Sequence, residues 1–212
     1  MFNLKDYDIP IDLIAYVILK HISYFDLDGI LPCFRLTPKE IAQIKYKIYR
    51  HRLTITKHDN KIIYQIENKL HREDGPAIEM VNGYKEWWQN NKLHRVNGPA
   101  IEWSDGYKEW YFNGLLHRED GPARESSNGN KEWYIDGDRH REDGPAIELT
   151  NGDKEWWVNG IWHRIDGPAK EFVDGNKEWF VHGFRHRNDG PAIERTNGDN
   201  VWYIQGEYID YP

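Results

Sequence analysis

The 212-residue chain contains one cysteine, Cys33, and two methionines. A single cysteine excludes an internal disulfide and fits a reducing compartment. The longest unbroken apolar run, Leu13 to Leu19, is seven residues, far short of the roughly 20 needed to span a bilayer as a helix. The start, MFNLKDYD, lacks a basic region followed by an apolar stretch, so no signal peptide is expected. There is no Gly-rich phosphate loop and no local histidine partner for Cys33. A protein of the cytoplasm without cofactor, metal or catalytic site is the expectation, and an enzyme is not.

Aromatic and charged residues are plentiful: ten Trp, thirteen Tyr, and 30% Asp, Glu, Lys and Arg. Aromatics bury large areas each, so a thin aromatic core is predicted in place of an aliphatic one. Charge divides along the chain. Residues 1–69 carry eleven Lys/Arg against eight Asp/Glu, and residues 70–212 carry seventeen against twenty-seven. An acidic second part repels phosphate backbones, which excludes nucleic acid as an expected partner there.

The acidic part repeats. A block HRxDGPAxE begins at His71, His94, His117, His140, His163 and His186, always 23 residues apart, and each block leads to an Asn/Asp-Gly and a Lys-Glu-Trp. Asn97 replaces the aspartate once, and Asn200-Val201 replace Lys-Glu in the last copy. An unbroken period of this length marks stacked repeats. Catalysis needs one asymmetric site, so a motif used six times reads as structure.

Within one repeat, Ile101-Glu102-Trp103 reads as a short strand, Asp105-Gly106 as a hairpin turn, Tyr107 to Phe112 as a second strand, Asn113-Gly114 as another turn, and Leu116-His117-Arg118 as the return. Type I′ turns need positive φ at both central residues, which suits Asn-Gly and Asp-Gly. Alternation puts Glu109 and Tyr111 on one side and Lys108, Trp110 and Phe112 on the other. Two ladders follow: Trp87, Trp110, Trp133, Trp156, Trp179 and Trp202 on one face, and Trp88, Tyr111, Tyr134, Trp157, Phe180 and Tyr203 on the other. The fold class predicted is mainly β, a single-layer antiparallel β-hairpin repeat array, with a three-sided β-solenoid as the alternative. The six histidines and their neighbouring carboxylates suggest a metal at first sight. A zinc site needs ligands converging within about 2 Å, whereas equivalent residues of stacked repeats lie about 10 Å apart. The histidines are therefore read as structural. The arginine of each block is expected to pair with a carboxylate, and Gly-Pro to make a bulge.

Residues 1–50 read as a three-helix unit. Ile11 to Leu19 is apolar over most of a helix, Asp26 and Asp28 offer caps for a short second helix, and Thr37-Pro38-Lys39-Glu40 is a capping-box start with Ile41, Ile44 and Ile48 on one face. Residues 51–69 look like a degenerate half-repeat with Tyr64 in the first tryptophan column, residues 70–207 form the six repeats, and 208–212 a C-terminal cap. Apolar residues of the helical start are expected to cover the first strand edge around Ile62 to Ile66.

Two resemblances add to this. Aromatic-x-x-Gly-x-x-His, as in Tyr111 to His117, resembles MORN repeats, which share the period and the antiparallel hairpin. The chain departs from them after the histidine, where MORN units carry Gly-x-Gly and these carry Arg-x-Asp-Gly-Pro-Ala. The HRxDGPA form resembles repeats of large DNA virus proteins, which implies a host-cytoplasmic location or a virion component. Ile9-Pro10-x-x-Leu13-Ile14, Tyr24-Phe25-Asp26-Leu27 and Leu31-Pro32-Cys33-Phe34-Arg35 resemble an F-box, although the family's following tryptophan is absent. That resemblance implies docking to the small adaptor of cullin-type ubiquitin ligases through Pro10, Leu13, Ile14, Leu31 and Pro32. A plain helical cap remains open beside it. The expected function is a non-enzymatic scaffold binding proteins through the array, or a structural protein that packs against itself or other proteins. Under the first, repeat-specific residues such as Trp103, Arg124, Trp162, Phe172 and Arg195 would form a patch.

Overall fold

A computed structural model describes residues 15–16, 18, 22–31 and 36–210. They fall into two compact units, residues 1–81 with 87–92, and residues 82–86 with 93–212.

In the first unit a 3-10 turn, Tyr24–Asp26, runs into a short helix α1, Leu27–Ile30. The expected cap is not made, because Asp26 has helical dihedrals and no side-chain cap bond; the preceding turn already occupies the backbone there. Helix α2, Pro38–Arg52, starts as its sequence predicts. The Thr37 hydroxyl accepts from the Glu40 amide at 3.3 Å, and the Glu40 carboxylate accepts from the Thr37 amide at 2.6 Å, a reciprocal capping box. The helix stops where Leu53 turns to extended dihedrals and opens β1, Leu53–Lys57. β2, Lys61–Ile66, pairs antiparallel with β1, with β3, Lys69–Leu70, and with β4, Ile78–Met80. Ile44, Ile48 and Tyr49 of α2 are buried with Ala15, Ile18, Leu27, Leu31 and Ile66, so the helical start packs on the end of β2 at Ile66. Residues 62–66 are not the sheet edge expected, because β1 pairs along them from Leu53 to Lys57. The Tyr64 amide donates to the Ala77 carbonyl, as Trp110 does to Ala123 in a full repeat.

In the second unit each repeat supplies two two-residue strands to an antiparallel sheet, for example Arg124–Glu125 and Lys131–Glu132. It also supplies a small separate hairpin, for example Tyr134–Ile135 with Asp138–Arg139. The mainly β hairpin array is thus as expected. A solenoid would pair equivalent strands in parallel, and the described pairings are antiparallel.

Two local expectations need correction. Tyr107 to Phe112 is not one strand: Lys108–Glu109 stays in the sheet, Tyr111–Phe112 joins the small hairpin, and the chain bends at Trp110. The bend occurs because Trp110 donates to Ala123 in the sheet while its carbonyl accepts from His117 in the hairpin limb. The two Gly turns also differ. Asn113 and Gly114 have φ of 51° and 90°, a type I′ pair. At Asp105-Gly106 only the glycine is positive, at 93°. Gly106 donates to Trp103, and Trp103 donates to Tyr107, so this is a type I turn closed by a glycine bulge. At the end of the chain, Glu207–Ile209 pairs with Trp202–Ile204, so the expected cap from residue 208 begins inside the last hairpin.

Candidate functional site: the grooves between repeats

The conserved letters of the block build the groove walls. In the third repeat Arg118 donates from Nε to Asp120 at 2.8 Å and from Nη1 to the Pro122 carbonyl at 3.1 Å and to Glu125 at 3.0 Å. Its guanidinium also lies 4.1 Å above the Trp110 ring. Arg141, Arg164 and Arg187 repeat this geometry over Trp133, Trp156 and Trp179, each at 4.0 Å, and in the first unit Arg72 lies over Tyr64 at 3.9 Å. The expected ion pair is present, and the ring eight residues upstream completes it. The arginine bond holds the Asp120, Asp143 and Asp189 carboxyls below the usual range.

This fork explains the glycine better than a bulge does. A Cβ on Gly121, Gly144, Gly167 or Gly190 would lie 2.8–3.0 Å from the arginine Cζ. The guanidinium occupies that space between glycine and ring. Arg141→Ala is expected to lower stability by about 1–3 kcal/mol. Gly144→Ala should be costly in the native chain and nearly free beside Arg141→Ala, because the fork it strikes is then gone. A double-mutant cycle in urea should show coupling of about 0.5–3 kcal/mol; simple additivity would rule the arrangement out.

Each histidine clasps the far end of its own repeat. The Nδ1 atoms of His94, His117, His140, His163 and His186 accept from the backbone amides of Asn113, Asp136, Asn159, His182 and Gln205 at 3.0–3.3 Å. In the first unit His71 accepts from Asn90 at 3.2 Å. All six donors have φ near 50° and start the type I′ turn. The histidines thus fix hairpins. Burial pushes His94 and His163 below their ordinary pKa. Among the described residues, no three His, Cys, Asp or Glu side chains could hold a metal ion.

On the opposite face the second ladder is joined by the last residue of each repeat. Arg139 lies between Tyr134 and Trp157, at 5.8 and 5.2 Å. Trp162 lies between Trp157 and Phe180, at 4.4 and 5.2 Å. Arg185 lies between Phe180 and Tyr203, at 5.4 and 5.8 Å. The glutamate of Lys-Glu-Trp sits beneath, and sequence reasoning missed its role. Glu109, buried, accepts from Tyr107, Tyr111 and Arg124, and with burial it pushes the Tyr111 hydroxyl up to about 12. Glu155 accepts from the Trp157 and Trp162 indoles, and Glu178 pairs with Arg185. The signal was present: wherever a donor changes between repeats, another faces the same glutamate.

Of the repeat-specific residues, Arg124 and Trp162 therefore do not share a patch with Trp103. Arg124 and Trp162 are drawn into the glutamate row, with Lys170 Nζ 3.7 Å over Trp162. Trp103 instead packs edge-on to Tyr84 and Tyr107 at the turns. Of the F-box-like residues, Pro10, Leu13, Ile14 and Pro32 lie outside the described residues. Leu31 is fully buried in the first unit's core.

Open clefts separate successive blocks. One of ≈ 760 Å³ lies between residues 95–98 and 117–120 with Trp110 and Phe112 as walls. A second of ≈ 620 Å³ lies between 118–121 and 140–143 with Trp133 and Ile135. A third of ≈ 810 Å³ lies between 164–168 and 186–189 with Trp179 and Val181.

Fold and grooves together define an antiparallel β-hairpin repeat protein with open clefts between successive blocks, alike in frame and different in rim residues. No family model and no curated protein matches the chain. Among the described residues, no helix is long and apolar enough to cross a membrane.

Proposed function

We propose that this chain is a non-enzymatic repeat scaffold that binds protein partners along the grooves of its array. One observation carries the reading. The invariant His, Arg, Gly and Ala of the block are turned to internal work, whereas the variable third letter is displayed at the groove rim. Val96 and Ile165 are 73% and 85% exposed, and the Glu119 and Glu142 side chains 87% and 88%. A constant frame with variable exposed positions is how repeat scaffolds build distinct binding surfaces. The MORN resemblance points the same way.

The F-box resemblance adds a second role for the helical start, recruitment of a ubiquitin-ligase adaptor through residues 9–35. The burial of Leu31 favours the capping role for that residue. Assembly with copies of itself or other structural proteins is the competing use of the same surface.

The test is a full-length variant with Val96→Glu, Glu119→Lys and Ile165→Glu. It should keep the native melting temperature and lose partners that the unaltered chain captures from a host-cell extract. Retention of every partner would sink the groove reading. A concentration-dependent particle mass abolished by the same changes would favour self-assembly instead.

A further inference from the structure

We propose that the grooves of the second unit take one extended, left-handed polyproline-type segment that carries a Lys or Arg at every third residue over its first two grooves. This rests on the scaffold reading and names its partner's chemistry. Three properties of the grooves converge on that occupant.

The first is spacing. Each repeat adds two strands to the sheet, and neighbouring strands lie about 4.8 Å apart, so grooves recur about every 9.6 Å. A polyproline II segment rises about 3.1 Å per residue with three residues per turn, so one of its faces recurs about every 9.3 Å. A β-strand fails this match, because residues three apart point to opposite sides.

Charge is the second. Residues 70–212 carry ten more acidic than basic residues. The arginines lining the first two grooves are already held: Arg95 by Glu102, Arg118 by Asp120 and Glu125, and Arg141 by Asp143 and Glu148. Glu119 and Glu142 approach only their own block's histidine, at 3.9 and 3.8 Å, and so leave negative charge at the rim.

The third is the apolar wall. Phe112 and Trp110 in one groove, and Ile135 and Trp133 in the next, suit the methylene stem of a Lys or Arg whose head reaches the rim carboxylates. The groove at 164–189 differs. Its rim carries Ile165 and Asn188 and no glutamate, whereas the first groove has Val96 with Glu119 and the second has Glu119 with Glu142. Its two aspartates are held by Arg164 and Arg187, as Asp120 and Asp143 are by their own arginines. That groove suits an apolar side chain. Counting three residues per repeat, the partner carries cations at positions i and i+3 and an apolar side chain at i+9.

The experiment titrates full-length protein with synthetic proline-rich peptides and follows binding by calorimetry. The first peptide has Lys at i and i+3 and Leu at i+9. A second of equal composition has its lysines at i and i+2, and a third replaces the prolines with glycine. The first peptide should bind at micromolar concentration and weaken as salt rises. The second and third should bind about tenfold more weakly, as should the first to a Glu119→Gln, Glu142→Gln variant of unchanged melting temperature. Equal binding of the two lysine spacings would overturn the proposal as unspecific charge attraction, and no binding of the first peptide at millimolar concentration would overturn it outright. If proteins are captured by the native chain and lost by the rim variant while the peptides fail, the scaffold reading stands and the polyproline occupant falls.

Discussion

Trp157→Ala is expected to lower the stability of the repeat array by about 3–5 kcal/mol, the range for truncating a buried large aromatic. Trp157 is 9% exposed. It stacks on Trp162, carries the Arg139 guanidinium on its ring, and donates from its indole to Glu155. Removal opens a cavity and strips two neighbours of their ring, and the sheet hydrogen bonds on either side restrict collapse. Trp157→Phe keeps a ring but leaves Glu155 with one indole donor, so a loss nearer 1 kcal/mol is expected. Leu115→Ala, at an exposed hairpin tip, should stay within about 0.5 kcal/mol. Urea midpoints of the three variants give the comparison. Hydrogen exchange should place the Trp157→Ala loss in residues 134–185, since repeats feel mainly their nearest neighbours. A Trp157→Ala effect no larger than that of Leu115→Ala would mean the second ladder does not hold the array.

The architecture was legible because its signals are local or periodic. The Thr37-Pro38-Lys39-Glu40 start, the Asn113-Gly114 turn and the 23-residue register each specify backbone geometry through residues adjacent in sequence. Even the face assignment survived the broken strand: Tyr111 still donates to Glu109, on the side opposite the Arg118 that covers Trp110. What stayed hidden joins different repeats. Arg118 resting on Trp110, and Arg139 between Tyr134 and Trp157, depend on which chain segment lies beside which, and a period alone does not reveal that.

The turn at Asp105-Gly106 was misread for a related reason. Asp-Gly permits positive φ at both residues but does not require it. The choice is made by strand ends four residues apart, Trp103 and Tyr107, which close a three-residue loop. The candidate site was legible only as its frame. The third letter of HRxDGPA was not singled out in the sequence; its place on the groove rim is set by the fork, in which the preceding arginine turns inward onto the tryptophan.

Ile48→Ala should destabilise the first unit by about 2–5 kcal/mol, as expected for a fully buried aliphatic side chain whose surroundings relax only in part. Ile48 shares its cluster with Ile18, Leu27, Leu31 and Ile44 from the helical start and with Ile66 at the end of β2. Polar pairs hold the same elements around it: Tyr24 donates to Glu73, Tyr49 to Asp74, and Arg52 pairs with Glu67. The Tyr24 hydroxyl is pushed up by burial and by Glu73, and the Tyr49 hydroxyl is pushed up to about 12, chiefly by burial. A cavity at Ile48 is therefore held open from several sides. Ile48→Val should cost only about 0.5–1.5 kcal/mol, so the pair forms a graded series for urea unfolding. The amides of β1 and β2 should lose exchange protection in Ile48→Ala, and the chain should aggregate more readily as the strand edge is exposed. A loss below about 1 kcal/mol, with β2 still protected, would mean that the helical start does not stabilise the first strands and that its apolar residues are kept for a partner.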